Sequence, residues 1–396
     1  MTAAAPSTLT PLEVASGLVI GVDAVTPEPA QPDRDPLEAL EASILPALKR
    51  PPCIVSFSGG RDSSALLALA ARVARREGLP LPVPVTNAFP QAFRTDEAAW
   101  QELVIRHVGL DDWVRNEFED ELDCVGPPAT EILHRHGLLW PFNAHFALPV
   151  TRAAAGGSML TGLGGDEALG AARWARVDAL LSGRERPRPR DVLRIGLALA
   201  PQPLRAVVLR RRLGASFPWL VPDAEKRVLA AWAREGASEP FRWERRFGWL
   251  QTLRYLRTTQ QSLATIGRRD GVLVVHPFAG PEFGSALAQL PPGRRFSTRS
   301  EAMRALFSDL LPEAVLTRVS KASFDEAFFN RYSRAFASRW NGESADPTLV
   351  DTDRLRAVWE GREPDARSFL LLQAAWLELE GVPAGTAGAS RTGGQL

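Results

Sequence analysis

The sequence predicts an α/β protein in which a parallel, doubly wound sheet is followed by a mainly helical part. A short apolar run, PCIVSF (52–57), leads through a glycine-rich loop into a segment with helical spacing of its apolar residues. A second apolar run, PVPVTNA (82–88), then repeats this order of strand and helix. Alternation of strands with helices is typical of a parallel sheet.

The first strand–loop–helix unit is the clearest element of the chain. After the loop, Leu66, Leu69, Ala70 and Val73 recur at the spacing of one helix face. Arginines in the last turns suit the negative end of the helix dipole, and Gly78 supplies a stop. The sequence therefore predicts a buried strand, a loop and an amphipathic helix in direct succession.

The remaining elements follow from the same patterns. After the strand at 82–88 we expect a helix from about Thr95 to His107 and a short strand from Trp113 to Phe118. From about Thr130 the pattern is mainly helical, and SGRERPRPRD (182–191) indicates an exposed loop. Tryptophans and arginines alternate between Trp219 and Trp249, which we interpret as helix packing with solvated arginines.

Composition limits the partners that we expect. The chain has 396 residues and a formal net charge of +1, so no global field favours nucleic acid or an anionic membrane. Its two cysteines, Cys53 and Cys124, have no metal-ligand spacing, and Cys53 lies in an apolar run where a reduced, buried thiol is expected. No signal peptide or apolar span is visible. We expect a cytoplasmic protein that binds neither nucleic acid nor membrane.

The loop after the first strand, SGGRDSS, has the composition of an anion site. Two glycines allow a tight turn, three serines add hydroxyl groups, and the following helix N-terminus favours negative charge. A helix cap alone would also explain the serines and the acid, but not the order of strand, glycines, acid, hydroxyls and helix. An acid inside an anion nest requires a shared cation, which we infer to be Mg²⁺ bound by Asp62.

Four motifs in order give the chain a resemblance to a known family. SGGRDSS resembles the pyrophosphate loop of the N-type ATP pyrophosphatases. MLTGLGGDEALG (159–170), VLVVHPFAGPEF (272–283) and DLLPEAVLTRVSKASF (309–324) are similar to later motifs of the asparagine synthetase superfamily. The resemblance covers roughly residues 50–330. It implies the fold of the N-type ATP pyrophosphatases and similarity to the β-lactam synthetase and lasso-peptide cyclase relatives.

The resemblance also implies the nucleotide site. Asp62 and Asp166 would be the Mg²⁺ ligands, and ATP would be bound by both glycine-rich motifs and by the end of the second strand. The ATP-binding residues carried over are Ser58, Gly59, Gly60, Asp62, Ser63, Ser64, Thr86, Asn87, Gly162 and Gly164.

The catalytic residues that the resemblance implies lie in two motifs. Lys321 would approach the α-phosphate and the reacting acyl group, and Arg318 is a lesser candidate for the same phosphate. Asp166 and Glu167 would act at the metal or its water shell, although Glu167 could also be a first-turn helix residue. His134, His136 and His145 we interpret as pocket or core residues rather than metal ligands.

The activity that follows is an ATP-dependent, AMP-forming carbon–nitrogen ligase. It would adenylate a small-molecule or peptide carboxylate, release pyrophosphate and transfer the acyl group to ammonia or to an amine. The N-terminal glutaminase domain of many relatives is missing, so a separate chain that supplies ammonia or binds a leader peptide stays open as a partner. Leu163 and Ala172 stand where an acid and an aromatic are common, which puts aspartate in doubt as substrate.

Two other functions stay open: a pyrophosphate-loop enzyme that modifies tRNA, and a non-catalytic partner subunit. Near-neutral charge and the lack of a Cys-x-x-Cys motif argue against the first, and the retained Asp62, Asp166 and Lys321 argue against the second.

We expect three parts in the chain. A partly disordered leader covers 1–45, the synthetase-like domain covers 46–382, and a disordered tail covers 383–396. The domain divides into a nucleotide-binding core (46–175) and a mainly helical remainder (176–382). The substrates, the ammonia source, the oligomeric state and the role of 1–45 do not follow from the sequence.

Overall fold

A five-stranded parallel sheet organises the chain. In the computed structural model, which describes residues 8–25, 34–91, 97–319 and 325–379, the strand order is β3-β2-β1-β4-β5, and every pairing is parallel. The strands are β1 (Cys53–Ser56), β2 (Val83–Ala88), β3 (Val114–Glu117), β4 (Ser158–Leu160) and β5 (Leu273–Val275).

Helices make up most of the rest of the described chain. They are α1 (Pro11–Ser16), α2 (Pro36–Leu48), α3 (Arg61–Glu77), α4 (Ala98–Val108), α5 (Pro127–His136), α6 (Ala147–Ala153), α7 (Gly165–Leu169), α8 (Ala175–Leu181), α9 (Asp191–Leu199), α10 (Gln202–Arg212), α11 (Pro222–Ser238), α12 (Trp243–Thr252), α13 (Arg254–Arg269), α14 (Pro281–Ala288), α15 (Arg299–Phe307), α16 (Glu313–Thr317), α17 (Asp325–Phe328), α18 (Arg331–Arg339), α19 (Thr352–Glu360) and α20 (Phe369–Leu379). Single 3-10 turns lie at Ala144–Phe146, Pro277–Ala279, Pro292–Arg294 and Ala366–Ser368. The α/β class with a helical C-terminal part is therefore confirmed.

Helices cover both faces of the sheet, because successive residues of a strand point to opposite sides. Val55 of β1 is fully buried in the large cluster formed with α2, α3 and α14. Its neighbour Ile54 packs on the other face with Val150 of α6 and Met159 of β4. This double cover explains why β1, β4 and β5 are almost wholly apolar, whereas the edge strand β3 is polar.

The two central strands define the place where a ligand can enter. β1 pairs with β2 on one side and with β4 on the other. The chain leaves β1 toward β2, and leaves β4 toward β5. The loops after β1 and β4 therefore diverge at the carboxyl edge of the sheet, where open α/β sheets hold their ligands.

A second buried cluster joins helices from distant parts of the chain. It contains Trp219, Trp359 and Phe369, all at most 1% exposed, together with Ala15 of α1. Trp243 packs edge-to-face with Phe247 and Phe296 in the cluster beneath the sheet. Trp219 and Trp243 thus serve helix packing, as interpreted from the sequence, whereas Arg246 is buried rather than solvated.

Part of the expected N-terminal leader belongs to the folded structure. The side chain of Thr10 caps α1, and Glu13 in turn accepts from the Thr10 amide and from Arg254 of α13. Asp23 pairs with Arg257 one turn further along α13. Residues 8–25 are thereby fixed to α13, and α2 packs against α3 and α14.

Other sequence expectations can be compared directly. The helix expected from about Thr95 to His107 runs from Ala98 to Val108, and residues 95 and 96 lie outside the described ones. Cys53 and Cys124 are free and buried, as expected. Among the described helices, none combines the length and apolarity needed to cross a bilayer.

Candidate active site

The loop between β1 and α3 forms a tight turn closed by its own serines. Gly59 adopts a φ of 79°, a conformation that favours glycine. The Ser58 and Ser63 hydroxyls lie 3.2 Å apart, and the Gly60 amide donates to the Ser58 hydroxyl at 3.3 Å. Ser64 is fully buried, and its hydroxyl lacks a hydrogen-bond partner among the described residues. The turn thus gathers serine hydroxyls and a helix N-terminus, as an anion site requires.

Two side chains donate hydrogen bonds to backbone carbonyl groups of this loop. Gln101 of α4 donates to the Ser58 carbonyl at 3.1 Å, and Arg318 donates to the Gly59 carbonyl at 2.9 Å. Arg318 also pairs with buried Glu97 and lies 4.7 Å above the ring of Trp100. Arg318, a lesser candidate for the phosphate by the family resemblance, thus supports this loop in the structure.

Glycines allow the loop after β4 to lie directly against the loop after β1. A Cβ at Gly165 would stand 2.5 Å from Oδ2 of Asp62, and one at Gly162 would stand 3.2 Å from the Asp62 Cβ. Gly164 has a φ of 91° and touches Ala279. The glycines of the second motif are thus required by close packing, and they bring the two motifs together.

The two predicted metal ligands meet at an arginine that the sequence did not indicate. Asp62 lies in the first turn of α3 and Asp166 in the first turn of α7. Arg299, the first residue of α15, donates to both carboxylate oxygens of Asp62 at 2.5 and 2.6 Å and pairs with Asp166. The carboxylates therefore converge on one positive charge.

This convergence fits the predicted metal. Two carboxylates that can share one guanidinium can also share one divalent cation. No group of three or more His, Cys, Asp or Glu side chains suited to a metal occurs in the described part of the chain, and none of the histidines belongs to such a group. Mg²⁺ commonly takes one or two carboxylates and completes its shell with phosphate oxygens and water, so Asp62 and Asp166 are an adequate protein contribution.

Glu167 points away from this pair of aspartates. Its carboxylate accepts from the Tyr255 hydroxyl at 2.8 Å, and its backbone carbonyl accepts from Arg246 at 2.6 Å. Burial, followed by the negative charge of Glu167, raises the pKa of Tyr255 well above its usual value of 10. Glu167 and Tyr255 thus form a Glu–Tyr pair. Leu163 and Ala172 occupy the positions where relatives commonly have an acid and an aromatic residue.

The end of β2 carries Thr86 and Asn87, which the family resemblance implies as ATP-binding residues. The Thr86 hydroxyl is buried and bonded to the Phe57 carbonyl at 2.7 Å and to Trp113, so only its backbone is available to a ligand. Asn87 donates to the Phe146 carbonyl at 2.9 Å and accepts from Asn116.

A cavity of about 700 Å³ opens between these elements. It reaches from the end of β1 past β2 to the loop after β4, and Leu163 and Thr161 belong to its wall. The wall also includes Ser58, Asn87, Phe89, Phe146 and Leu263. Its volume lies in the range of small-molecule sites.

A second cavity, of about 820 Å³, lies on the other side of the loop after β4. Glu167, Gln260 and His276 line it. The Thr161 hydroxyl and Nδ1 of His276 are 2.6 Å apart, so this pair stands between the two cavities. Burial lowers the pKa of His276 to about 4, so its imidazole is neutral near pH 7.

One catalytic residue that the family resemblance implies, Lys321, is not described by the structure. Lys321 lies outside the described residues, between Val319 and α17. Three supports of the site were missed: Arg299, Gln101 and Glu97. Only the position of Arg299 directly after a helix-capping threonine gave any local signal, since Thr298 caps α15.

Comparison with known proteins agrees with this geometry. The sequence pattern of the family described as asparagine synthase matches residues 38–379. No curated protein matches the chain at a significant level. The family match covers both glycine-rich loops, β5 and the segment that ends at α20. The chain therefore belongs to the asparagine synthase family of ATP-dependent amide-forming ligases.

Proposed function

We propose that the protein adenylates a substrate carboxylate and then transfers the acyl group to an amine. The observation that carries this proposal is the convergence of Asp62 and Asp166 on one cation, beside a serine-rich anion loop. A loop of this kind suits a pyrophosphate group, and the cation-sharing carboxylates suit a metal bound to that group. Breaking ATP between its α- and β-phosphates requires both.

Asp62 and Asp166 would hold Mg²⁺, which supplies neutralisation of the phosphate charge. The hydroxyls of Ser58 and Ser63 and the N-terminus of α3 bind the β- and γ-phosphates. Arg299 contacts both aspartates, and its planar fork also suits phosphate oxygens. We therefore assign Arg299 to the departing pyrophosphate.

The chemistry balances in two steps. A carboxylate oxygen of the substrate attacks the α-phosphorus, and the bond to the β-phosphate oxygen breaks to release pyrophosphate. An amine nitrogen then attacks the acyl carbon, the bond to AMP breaks, and the nitrogen loses a proton. We assign Lys321 to the charge that develops on the phosphorus and later on the acyl oxygen, as the family resemblance implies.

The wall of the first cavity supports an uncharged acyl substrate. Leu163, Phe146 and Leu263 supply an apolar surface next to the loop after β4. An aspartate substrate would incur a desolvation cost wherever its charged groups lay against these apolar side chains rather than against the polar lining residues Arg115, Glu117 and Asn143. We therefore propose a substrate whose reacting carboxyl is attached to an apolar or peptidic group.

The second cavity is our candidate for the approach of the amine. It adjoins the first across the Thr161–His276 pair, and its glutamines and Glu167 offer both donors and acceptors. Filling it by Gln260→Trp should leave pyrophosphate exchange intact and suppress amide formation. Loss of both activities would place the acyl group in this cavity instead.

Exchange of labelled pyrophosphate into ATP is the experiment that tests the adenylation step. The purified protein is assayed with Mg²⁺ and pools of amino acids and short peptides, beside Asp62→Asn, Asp166→Asn and the exposed control Asp112→Asn. We expect carboxylate-dependent exchange that falls at least about 100-fold in the first two variants only.

The outcomes separate the remaining functions. Exchange that depends on added tRNA would favour a tRNA-modifying enzyme. Absence of exchange with every pool, together with no ATP binding by calorimetry, would leave a non-catalytic partner subunit. Equal pyrophosphate exchange in all three variants would show that Asp62 and Asp166 take no part in the mechanism.

A further inference from the structure

Positive charge is concentrated in one short part of the chain. Residues 182–214 contain nine arginines and two acidic residues, a net charge of +7 in a protein whose net charge is +1. This part follows α8 and comprises the Arg- and Pro-rich loop, α9 and α10. None of its residues lines either of the two large cavities. The charge therefore has no role in the active site described above.

Helix α9 exposes large apolar side chains on one face. Val192, Leu193 and Leu199 are 71, 81 and 63% exposed, and their spacing places them within one arc of the helix. The opposite face is used for packing, because Ala198 is buried against Trp174 and Val177. The apolar side chains of the exposed face thus take no part in packing α9 onto the rest of the protein.

Helix α10 repeats this arrangement. Leu204 and Val207 are 55 and 50% exposed, while Leu209 is buried against α11. Six of the 13 exposed large apolar side chains of the described residues fall between 181 and 207. Such concentration distinguishes this surface from the single exposed leucines that any protein carries.

The arginines around these helices are exposed, and most lack carboxylate partners. Asp191 pairs with Arg176, and Arg184 pairs with Asp178. No carboxylate of the described residues forms a salt bridge with the arginines that flank the apolar faces, which are Arg186, Arg188, Arg190, Arg210, Arg211 and Arg212. Together with Val192, Leu193, Leu199, Leu204 and Val207 they form what we call the basic–apolar patch.

We propose that the basic–apolar patch binds an anionic lipid surface. Leucine and valine side chains would enter the boundary between headgroups and acyl chains, and the arginines would contact the lipid phosphates. Two surface helices with apolar outer faces and flanking cations are suited to this role, because a bilayer requires no shape complementarity. The near-neutral chain thus carries its membrane affinity in one local site.

Other macromolecules fit the patch less well. Nucleic acid would use the arginines but leave five exposed aliphatic side chains against phosphate and water. Protein interfaces rely on tryptophan, tyrosine and arginine anchors, with leucine and valine under-represented, and residues 182–214 contain no aromatic residue.

Co-sedimentation of the full chain with vesicles tests the proposal. We expect binding to vesicles of phosphatidylcholine mixed with phosphatidylglycerol, weaker binding at high salt and little binding to phosphatidylcholine alone. The double variant Leu193→Ser/Leu199→Ser should lower the partition coefficient by roughly ten-fold or more. Each of Arg186→Ser, Arg188→Ser and Arg190→Ser should lower it by about five-fold.

Controls separate this surface from the rest of the molecule. Leu81→Ser removes an exposed leucine elsewhere (41% exposed) and should leave vesicle binding unchanged. Pyrophosphate exchange should be equal in all these variants, so failure of the enzymatic proposal would not affect the result. Any of the following outcomes would overturn the inference: no sedimentation at low salt, equal binding to both vesicle types, or undiminished binding by the double leucine variant. Tighter binding to polyglutamate or DNA than to vesicles would do so as well.

Discussion

Arg299 bonds to Asp62 and Asp166 at the same time, although 237 residues separate Arg299 from Asp62. Its side chain therefore joins α15 to the first turns of α3 and α7. The guanidinium thus holds the two carboxylates close together. In the proposed mechanism, this arginine would support the metal site before ATP binds and would face the leaving group afterwards.

The variant Arg299→Ala should lower kcat/KM for ATP–pyrophosphate exchange by about 100-fold, because charged hydrogen bonds to phosphate are each worth roughly 1.5–3 kcal/mol. The kcat/KM of Arg299→Lys should lie between those of Arg299→Ala and the parent, since a lysine keeps the charge but loses the planar fork. Arg294→Ala, which removes an exposed arginine paired with Asp35, is the control. Parental activity in Arg299→Ala would refute the assignment.

The buried pair of Arg318 and Glu97 should contribute to stability more than a surface pair. Their side chains are 4 and 7% exposed, so removing one partner leaves a buried charge. Arg318→Met should lower the free energy of unfolding by about 3 kcal/mol, and Arg318→Met/Glu97→Leu by clearly less than the sum of the single variants. Urea denaturation measures both.

The exposed pair of Arg304 and Glu313 supplies the matched control for this experiment. Arg304→Met should change the free energy of unfolding by less than about 1 kcal/mol. Additive effects in the Arg318–Glu97 cycle would show that the two side chains do not act as a pair.

His276 should make the protein less stable in mild acid. Its pKa is lowered from 6.5 to about 4 by burial, so the unfolded chain takes up this proton first. The stabilising contribution is complete above pH 6.5 and is lost as pH falls from 6.5 to 4, by roughly 3 kcal/mol in total. His276→Gln should flatten the pH dependence of the unfolding free energy in that window, and an unchanged slope would contradict this.

Tyr255 should remain protonated in alkaline solution while the protein is folded. Burial and the Glu167 charge raise its pKa, so its contribution to stability is complete below about pH 10 and declines as pH rises further. The sequence has two tyrosines, which makes the absorbance of tyrosinate easy to assign. Tyr255→Phe should remove only the late, unfolding-linked ionisation; early ionisation of Tyr255 would argue against the bond to Glu167.

Local patterns predicted the part of the site that is continuous in sequence. SGGRDSS gave the turn, the hydroxyls and Asp62 because strand, glycines and helix follow one another directly. Family resemblance supplied Asp166, and parallel pairing of β1 with β4 then placed it beside Asp62. Both the fold class and the convergence of the two motifs could thus be predicted.

Contacts made by distant residues could not be predicted in the same way. Arg299 is one arginine among many, and only the packing of α15 on α7 brings it to the aspartates. The sequence likewise does not reveal that Arg318, a candidate phosphate contact, bonds to Glu97 and to the Gly59 carbonyl. The partner of Glu167 is likewise set by α13, 88 residues further along the chain.

Contact between α1 and α20 has a consequence for how the protein is made. The two helices are separated by most of the chain, and both contribute to the cluster around Trp219 and Phe369. During synthesis this cluster can be completed only after α20 has left the ribosome. The strands and α3, which depend on residues up to β5, can assemble earlier. In a nascent chain α1 can meet α11 earlier, but the part of α1 that packs on α20 stays exposed until synthesis is nearly complete, as apolar surface accessible to chaperones.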